Sequence, residues 1–507
     1  MVQNYYEVLT LTVIEVTIEK KQLKNRKRYF IKSAWKGIDI YKNICVKLVI
    51  KKIKKLHFNF KIITLYLDIN NLKNVTMKNT ILPIYIALIG LFMMACGNEN
   101  TEKSFDNEAL KIANPEEIEQ VVAAFIEAEN GSTIEIPEGF YDLKTQLILD
   151  NLSDVIIKGQ GMDKTVLSFK NLRSGGEGVK LVGKNITIQD LSVEDAPGDG
   201  IKAQHCDGIT FRRVNATWTN GDKSKNGTYA IYPVQCKNVM IDECIASHSK
   251  DAGIYVGQSE NIIVKNCYAF GNVAGIEIEN SDYSEVYNNL AKDNSAGILV
   301  FNLPGLPKPD GNYTKIYNNE IIENNHVNFA SPLNDTPNGN TVTMVPPGSG
   351  VILLGAKDVE VYNNKILRNK TFGVGIASYQ ITGFPTEGFE GWSPYSKNIY
   401  VHDNEYERAM NIPDLTKELG QLVSVYNAHG KAKTQDIIYD GIWDKNISKD
   451  IKTNPMNICI QEKNQENLIF SRFYLMDGED NIKAFKDVEL FNCEMKITID
   501  NSSVSSL

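Results

Sequence analysis

Eight stretches of this chain share one pattern: a Gly or Ala, an aliphatic residue, a variable residue and a further apolar residue. Successive copies start 22 or 23 residues apart wherever no loop intervenes. The aliphatic column reads Val179, Ile201, Ile231, Ile254, Ile276, Ile298, Val351 and Val374. A period near 22 is one coil of a parallel β-helix, in which a single coil leaves apolar surface bare until neighbours stack on it. The expected fold is all-β: a right-handed, single-stranded parallel β-helix of coils of about 22 residues, with an N-terminal capping helix and a C-terminal cap region.

Two more strands per coil follow from the same frame. Segments such as Asn238 to Ile241, Asn261 to Val264 and Val359 to Val361 alternate apolar and polar residues with a period of two. Each leads to a turn column, Val214, Cys244, Cys267, Asn289, Asn319, Asn364 and Asn404, and then to a second column, Asn272, Asn294, Asn324 and Asn369. Asn suits both, because its amide bonds to the same group one coil away and it tolerates left-handed corners.

The chain ends differ from the repeats. Residues 1–76 hold 16 Lys plus Arg against 5 Asp plus Glu, without usable periodicity, and a signal-like stretch begins at Met77. One lysine, an apolar core and Met94-Ala95-Cys96-Gly97 read as a bacterial lipoprotein signal over residues 77–95, with Cys96 lipidated. Such a signal works at a chain start, so Met77 is the expected initiator and residues 1–76 a spurious extension. The alternative is a basic extension with Met77 to Ala95 as an anchor. From residue 96 onward the chain carries 37 Lys plus Arg against 57 Asp plus Glu, a formal charge near −20. Nucleic acid is thereby excluded as an expected partner, since that affinity rests on Lys and Arg against phosphates.

Residues 96–112 are polar and acidic, a tether. Asn114-Pro115-Glu116-Glu117 then opens a capping helix, and residues 113–405 form the expected β-helix. Residues 406–507 are left as a C-terminal cap or accessory region. Cys206 with Cys236, and Cys244 with Cys267, fall in equivalent places of adjacent coils and read as stacked buried thiols. Cys459 with Cys493 is a plausible bridge.

In a strand the residue after each core aliphatic points outward. That column runs Lys180, Lys202, Tyr232, Tyr255, Glu277, Leu299, Ile352, Gly375. Its polar part reads as an exposed stripe for sugar rings, with Lys180, Tyr255, Glu277, Gln235 and Gln258 as binding residues. Lys202, Tyr232 and His205 are the candidate catalytic residues: Lys202 would neutralise a uronate carboxylate, and Tyr232, its pKa drawn down by Lys202, or His205 would move the proton. His205, Gln235, Gln258, Asn280 and Asn302 have two readings, an amide ladder at a strand end or a second groove wall. An ordinary solvated stack also fits the outward column. Tyr255→Ala is expected to leave the scaffold folded. No cofactor is expected; Asp190, Glu194, Asp195, Asp199 and Asp251 would suit calcium, though without EF-hand or RTX-type spacing.

The run YAIYPVQCKNVMIDECIASHSKDAGIYVGQSENIIVKNCYAFGNVAGIEIENS, followed by AGILVFNLPGLP, resembles a family of secreted or lipid-anchored bacterial parallel β-helix repeat proteins. The resemblance spans about Asn114 to Gln380 and implies the fold and export. More distantly the repeats are similar to the right-handed β-helices of pectate lyases, alginate lyases and mannuronan C5-epimerases. The chain departs from them in lacking an epimerase-like YGFDPH string and a pectate-lyase calcium motif. The expected function is an exported, monomeric, outer-membrane lipoprotein, facing periplasm or cell surface. It would bind a polysaccharide, anionic in the favoured reading, and act as a lyase or epimerase or bind glycan or protein without turnover.

Overall fold

The computed structural model describes residues 110–331, 341–408 and, with short gaps, 413–505. The expected signal and Cys96 lie outside the described residues. Asn114 caps helix Pro115–Ile126. Its side chain accepts from the Glu116 and Glu117 amides at 2.9 and 3.0 Å, and Glu117 accepts from the Asn114 amide at 2.8 Å. This reciprocal box satisfies donors that a helix start leaves open. Val121 and Phe125 are buried over the first coil, whereas Ile126 at the helix end is 76% exposed.

Beyond the helix the chain is a right-handed parallel β-helix. Strands Ile201–Gln204, Tyr229–Val234, Ala252–Gly257, Ala274–Glu279, Ala296–Phe301, Ser349–Leu354 and Phe372–Ala377 stack as one parallel sheet. The aliphatic column lies in register through it, and every member from Val179 to Val374 is fully buried. Two further parallel sheets run from Lys237–Asp242 to Ile458–Gln461 and from Ile245–Ser247 to Glu405–Glu407.

The Asn columns are continuous ladders. Asn289 donates to Asn319 at 3.0 Å, Asn319 to Asn364 and Asn364 to Asn404 at 2.9 Å. Asn272 donates to Asn294 at 3.0 Å, Asn294 to Asn324 at 2.9 Å and Asn324 to Asn369 at 3.2 Å. All but Asn404 are at most 3% exposed, so each amide meets its hydrogen-bonding needs inside the stack. Cys206, Cys236, Cys244 and Cys267 are free and buried.

Stacking does not stop at residue 405. Gln435–Tyr439 pairs with Phe372–Ala377, and Ile458–Gln461 with Lys397–His402. The Asn ladder ends at Asn404 because Glu462 takes the next place, accepting from the Asn404 amide at 2.6 Å and from its side chain at 3.0 Å. The stack is capped by Phe470–Tyr474, whose antiparallel partner Lys483–Phe485 turns the edge away from further parallel pairing.

The chain then returns along the outside. Cys493 is disulfide-bonded to Cys459. Ten residues later, Ser503 donates to Asn238 at 3.0 Å, and Asn501 donates to the Ile262 carbonyl and to Glu285. Val504 is buried against Met240 and Ile263. Six rungs separate the Ile458–Gln461 and Lys237–Asp242 strands, about 29 Å at ~4.8 Å per rung, and ten extended residues span about 33 Å. The C-terminal segment is therefore a nearly straight strap across the second sheet.

Asn294→Ala should cost about 2 kcal/mol or more, since it unpairs the buried Asn272 and Asn324 amides at once. Chemical denaturation measures this, and a loss under about 0.5 kcal/mol, typical of an exposed contact, would contradict the ladder's role.

Candidate active site

The outward column is in register as expected: Lys180 pairs with Lys202, Lys202 with Tyr232, Tyr255 with Glu277 and Glu277 with Leu299. It is not, however, a continuous exposed stripe. Lys180, Lys202 and Tyr232 are half-buried, but Tyr255 and Glu277 are each 3% exposed. Beyond them the column becomes Leu299 and Ile352, flanked by Phe301 and Leu354. Val342, Val345, Tyr379 and Trp392, all from segments inserted between coils, cover this apolar half. The covering segments are themselves tied down, with the Trp392 indole donating to the Asn302 carbonyl at 3.1 Å. Sequence alternation identifies a side chain's face of the sheet, but not a second layer laid over that face.

At the half-open end, Lys202 Nζ lies 3.6 Å from Glu177 and 5.0 Å from the centre of the Tyr232 ring. Tyr229, Tyr232 and Tyr255 form a cluster with ring centres 4.3 to 5.1 Å apart. Asp199 accepts from the Tyr229 amide at 3.3 Å. Tyr255 folds over Gly257, where an added Cβ would meet the tyrosine ring at 2.4 Å, and its hydroxyl donates to Glu279 in the next coil. Glu277 and Glu279 both leave strand Ala274–Glu279 on its outer side.

Burial drives the electrostatics. It lifts Asp199 to about 6, against the pull of Lys202. It lifts Glu279 to about 7, although the Tyr255 hydroxyl favours its ionised form, and it holds Glu277 well above the ordinary carboxylate range with Asp251 and Glu279 adding repulsion. The Tyr232 hydroxyl is also pushed up, first by burial and then by Asp199, Glu279, Asp251 and Glu177. This corrects the expectation that Lys202 would draw Tyr232 down: Lys202 is shared with Glu177, and the surrounding acids outweigh it. The Tyr232 hydroxyl is thus held in its protonated form at neutral pH.

His205, Gln235 and Gln258 occupy the same corner of successive coils, with φ of 55°, 54° and 53°. His205 is exposed there, outside the outward column. Of the same set, Asn280 donates to the carbonyls of Leu303, Lys308 and Pro309, and Asn302 to those of Gly311 and Gly355. These two therefore anchor an inserted loop instead of forming a ladder with each other. Glu177, Tyr229 and Glu279 join the site although none was among the candidate site residues, and Asp199, read in the sequence only among acids suited to calcium, joins it beside Tyr229. The Glu-Ile-Glu alternation of AGIEIEN was the available signal for Glu279.

Among the described residues no group of three or more His, Cys, Asp or Glu is placed to hold a metal ion. A separate surface hollow of about 570 Å³ is lined by Asp293, Glu323, Asn325, His326, Arg368, Lys370 and Arg408. Arg368 there is already paired with Glu323 and Glu407.

Residues 177–324 match the family model described as "Right handed beta helix region". A pre-neck appendage protein of Bacillus phage B103 is 25% identical over 240 residues, covering 39% of this chain and 26% of that protein. The match thus spans about a quarter of that relative's length. Among solved structures, the A-module of the Azotobacter vinelandii mannuronan C-5 epimerase AlgE4 is similar with a TM-score of 0.41 and 17% identity, over 64% of this chain and 86% of that one. An alginate lyase from Paenibacillus sp. str. FPU-7 has a TM-score of 0.39 and 14% identity, over 58% and 94%. At such identities the likeness is one of architecture.

A carboxyl whose folded pKa exceeds its unfolded value stabilises the native state while protonated. For Glu279 that stability is full below about 4.5 and is lost as pH rises to about 7. Asp440, buried and lifted to about 7, acts with the same sign. Thermal denaturation should therefore show the melting temperature falling between pH 5 and 7.5, and Glu279→Gln should flatten part of that fall. An unchanged slope in the variant would contradict the assignment. The expectation for Tyr255→Ala also reverses: removing this buried ring should cost about 3 kcal/mol or more.

Proposed function

We propose that this protein is an exported, lipid-anchored protein that processes a polysaccharide along the outer face of its first sheet. The observation that carries this reading is the in-register run of Lys180, Lys202 and Tyr232 beside Asp199, leading to the Glu277 and Glu279 carboxyls. Lysines at the half-open end suit an anionic, uronate-bearing chain. The reaction class is proton abstraction beside the uronate carboxylate, as in a lyase or C5-epimerase.

In this reading Lys180 and Lys202 offset the charge that builds on the carboxylate. Asp199, at about 6, is mostly ionised at neutral pH and takes the proton at C5. Tyr232, held protonated, gives its proton to the departing O4, so that the C4–O4 bond breaks as the C4–C5 double bond forms. In an epimerase the proton would instead return to C5 from the opposite face. Burial raises both groups, but from such different ordinary values that at neutral pH Asp199 is mostly ionised and Tyr232 protonated, so the two divide base and acid roles between them. His205, exposed at its corner, takes no part.

Export and attachment at Cys96, in the outer membrane with the body facing periplasm or surface, rest on the sequence signal. The Cys459–Cys493 disulfide agrees with an oxidising compartment. A second reading, glycan binding without turnover, is favoured by the burial of Tyr255 and Glu277, which withdraws half of the strip from solvent.

Purified protein incubated with alginate, polygalacturonate or a glycosaminoglycan should generate unsaturated-uronate absorbance if it is a lyase, or altered polymer NMR spectra if an epimerase. Tyr232→Phe and Asp199→Asn should each lower the rate about 100-fold or more. Binding without either product would establish the second reading, and neither binding nor product would refute both. In a bacterial host, labelled palmitate should enter the protein and be lost with Cys96→Ser; labelling that persists in the variant would refute the anchor.

A further inference from the structure

Two inserted segments meet at one carboxylate. Asp222 lies between strands Asp207–Thr217 and Tyr229–Val234, and His326 lies beyond strand Glu320–Ile322. Asp222 Oδ2 is 2.6 Å from His326 Nε2, and its Oδ1 is 2.8 Å from Nδ1 of His248, a coil-corner residue with φ of 63°. The same corner of the next coil is Gly271. A Cβ there would come within 2.7 Å of His248 Nδ1 and 3.1 Å of Asp222 Oδ1, so the bare corner leaves room for the pair. The His248 ring stands edge-on to Phe270 and the His326 ring edge-on to Phe329. The side chains of His248, Asp222 and His326 are 25%, 26% and 31% exposed, so the cluster is open to protons from solvent.

The bonding of His326 fixes its proton count. Its second nitrogen, Nδ1, is 2.9 Å from the Val327 carbonyl oxygen. Carbonyl and carboxylate oxygens only accept, so both ring nitrogens must carry a hydrogen, and the ring is an imidazolium. His248 is under no such demand, because a neutral ring can donate from Nδ1 alone. The surface hollow that His326 lines also presents Asp293 and Glu323, which favour the charge, and Arg368, Lys370 and Arg408, which oppose it. Arg368 is held by Glu323 and Glu407, and Arg408 by Asp436, so the opposing cations are largely offset.

We propose that Asp222, His326 and His248 form a proton-dependent clasp between the two inserted segments, closed while His326 is an imidazolium and released when it loses that proton. One segment leads directly into Tyr229 and Tyr232. The other is tied to the cover of the apolar half of the strip, because the Asn328 side chain donates to the Val342 and Val345 carbonyls, each at 2.9 Å. The closed form holds a proton that the released form lacks, so closure is favoured at mildly acid pH and declines as pH rises through the imidazole range. The clasp acts whether the strip turns over a polysaccharide or only binds one.

Amide hydrogen exchange in the full-length protein, followed from about pH 5.5 to about pH 8.5 and corrected for the intrinsic pH dependence of exchange, reads the clasp locally. Glu279 and Asp440 change global stability with the same sign, so the comparison is made against the coil strands of the same sample. Protection of residues 219–226 and 326–330 should fall about tenfold or more beyond any change in those strands. His326→Gln should level that dependence, since its amide can donate to Asp222 but gains and loses no proton. His248→Gln should keep it. Protection in the parent that follows the coil strands at every pH would overturn the proposal, as would a pH dependence that survives in His326→Gln or vanishes in His248→Gln. If His326→Gln does not fold, NMR of the ring nitrogens in the parent decides: hydrogen on both nitrogens of His326 at about pH 6 supports the clasp, and one bare nitrogen overturns it.

Discussion

Everything in this molecule depends on coil-to-coil pairing in fixed register. Among the described residues, no strand of the parallel coils pairs within its own coil; each finds its partner in the coil before or after it. A shift of one residue would turn every core aliphatic toward solvent, so the apolar column enforces the register as firmly as the backbone hydrogen bonds do. The Asn ladders add a second lock, because each amide bonds to the residue at the same place in the next coil and to a backbone carbonyl of the coil before. Alignment of the outward residues follows without further cause. Lys202, Tyr232 and Tyr255 lie above one another because Ile201, Ile231 and Ile254 do.

The outer face of the first sheet is one surface with two chemistries. Its first coils carry Lys, Tyr and carboxyls, and its later coils carry Leu299, Phe301, Ile352 and Leu354 under a second apolar layer. The boundary between them is where the carboxyls sit deepest, and that depth raises Glu277 and Glu279. Burial at this boundary is therefore the first cause of the protonation of both groups, ahead of the repulsion from Asp251. Ion pairing is secondary at this site, since Lys202 is engaged by Glu177 before any ligand arrives.

The repeats were legible in the sequence because their signals are local and periodic. Val179 to Val374 could be read as one buried column, and the Asn columns as ladders, since each position is set by residues at a constant offset. The Cys459 and Cys493 partnership was legible as a bridge within the tail, where both lie beyond the stacked thiols of the coils. What was not legible depends on segments that break the period. Tyr255 is buried in one apolar cluster with Val342, Val345, Tyr379 and Trp392, which lie 87 or more residues away in sequence. The direction of the Tyr232 shift was missed for a related reason: Lys202 is one coil away and visible in the column, whereas Asp199 and Glu177 belong to a neighbouring column. The stack's extension past residue 405 was hidden because Glu462 replaces Asn in the ladder, doing the same bonding with a different side chain.

The strap bears on the order in which the molecule can become whole. Coils can assemble on one another as soon as they leave the ribosome, since each needs only its neighbour. The fastening at Asn238, Ile262 and Met240 needs Asn501, Ser503 and Val504, which are made long after them: 239 residues separate Ile262 from Asn501, and 265 separate Asn238 from Ser503. Early coils therefore wait, assembled but unlatched, until the later coils and the strap have been made, and a chain cut before Asn501 would keep its repeats but lose the tie between its two halves.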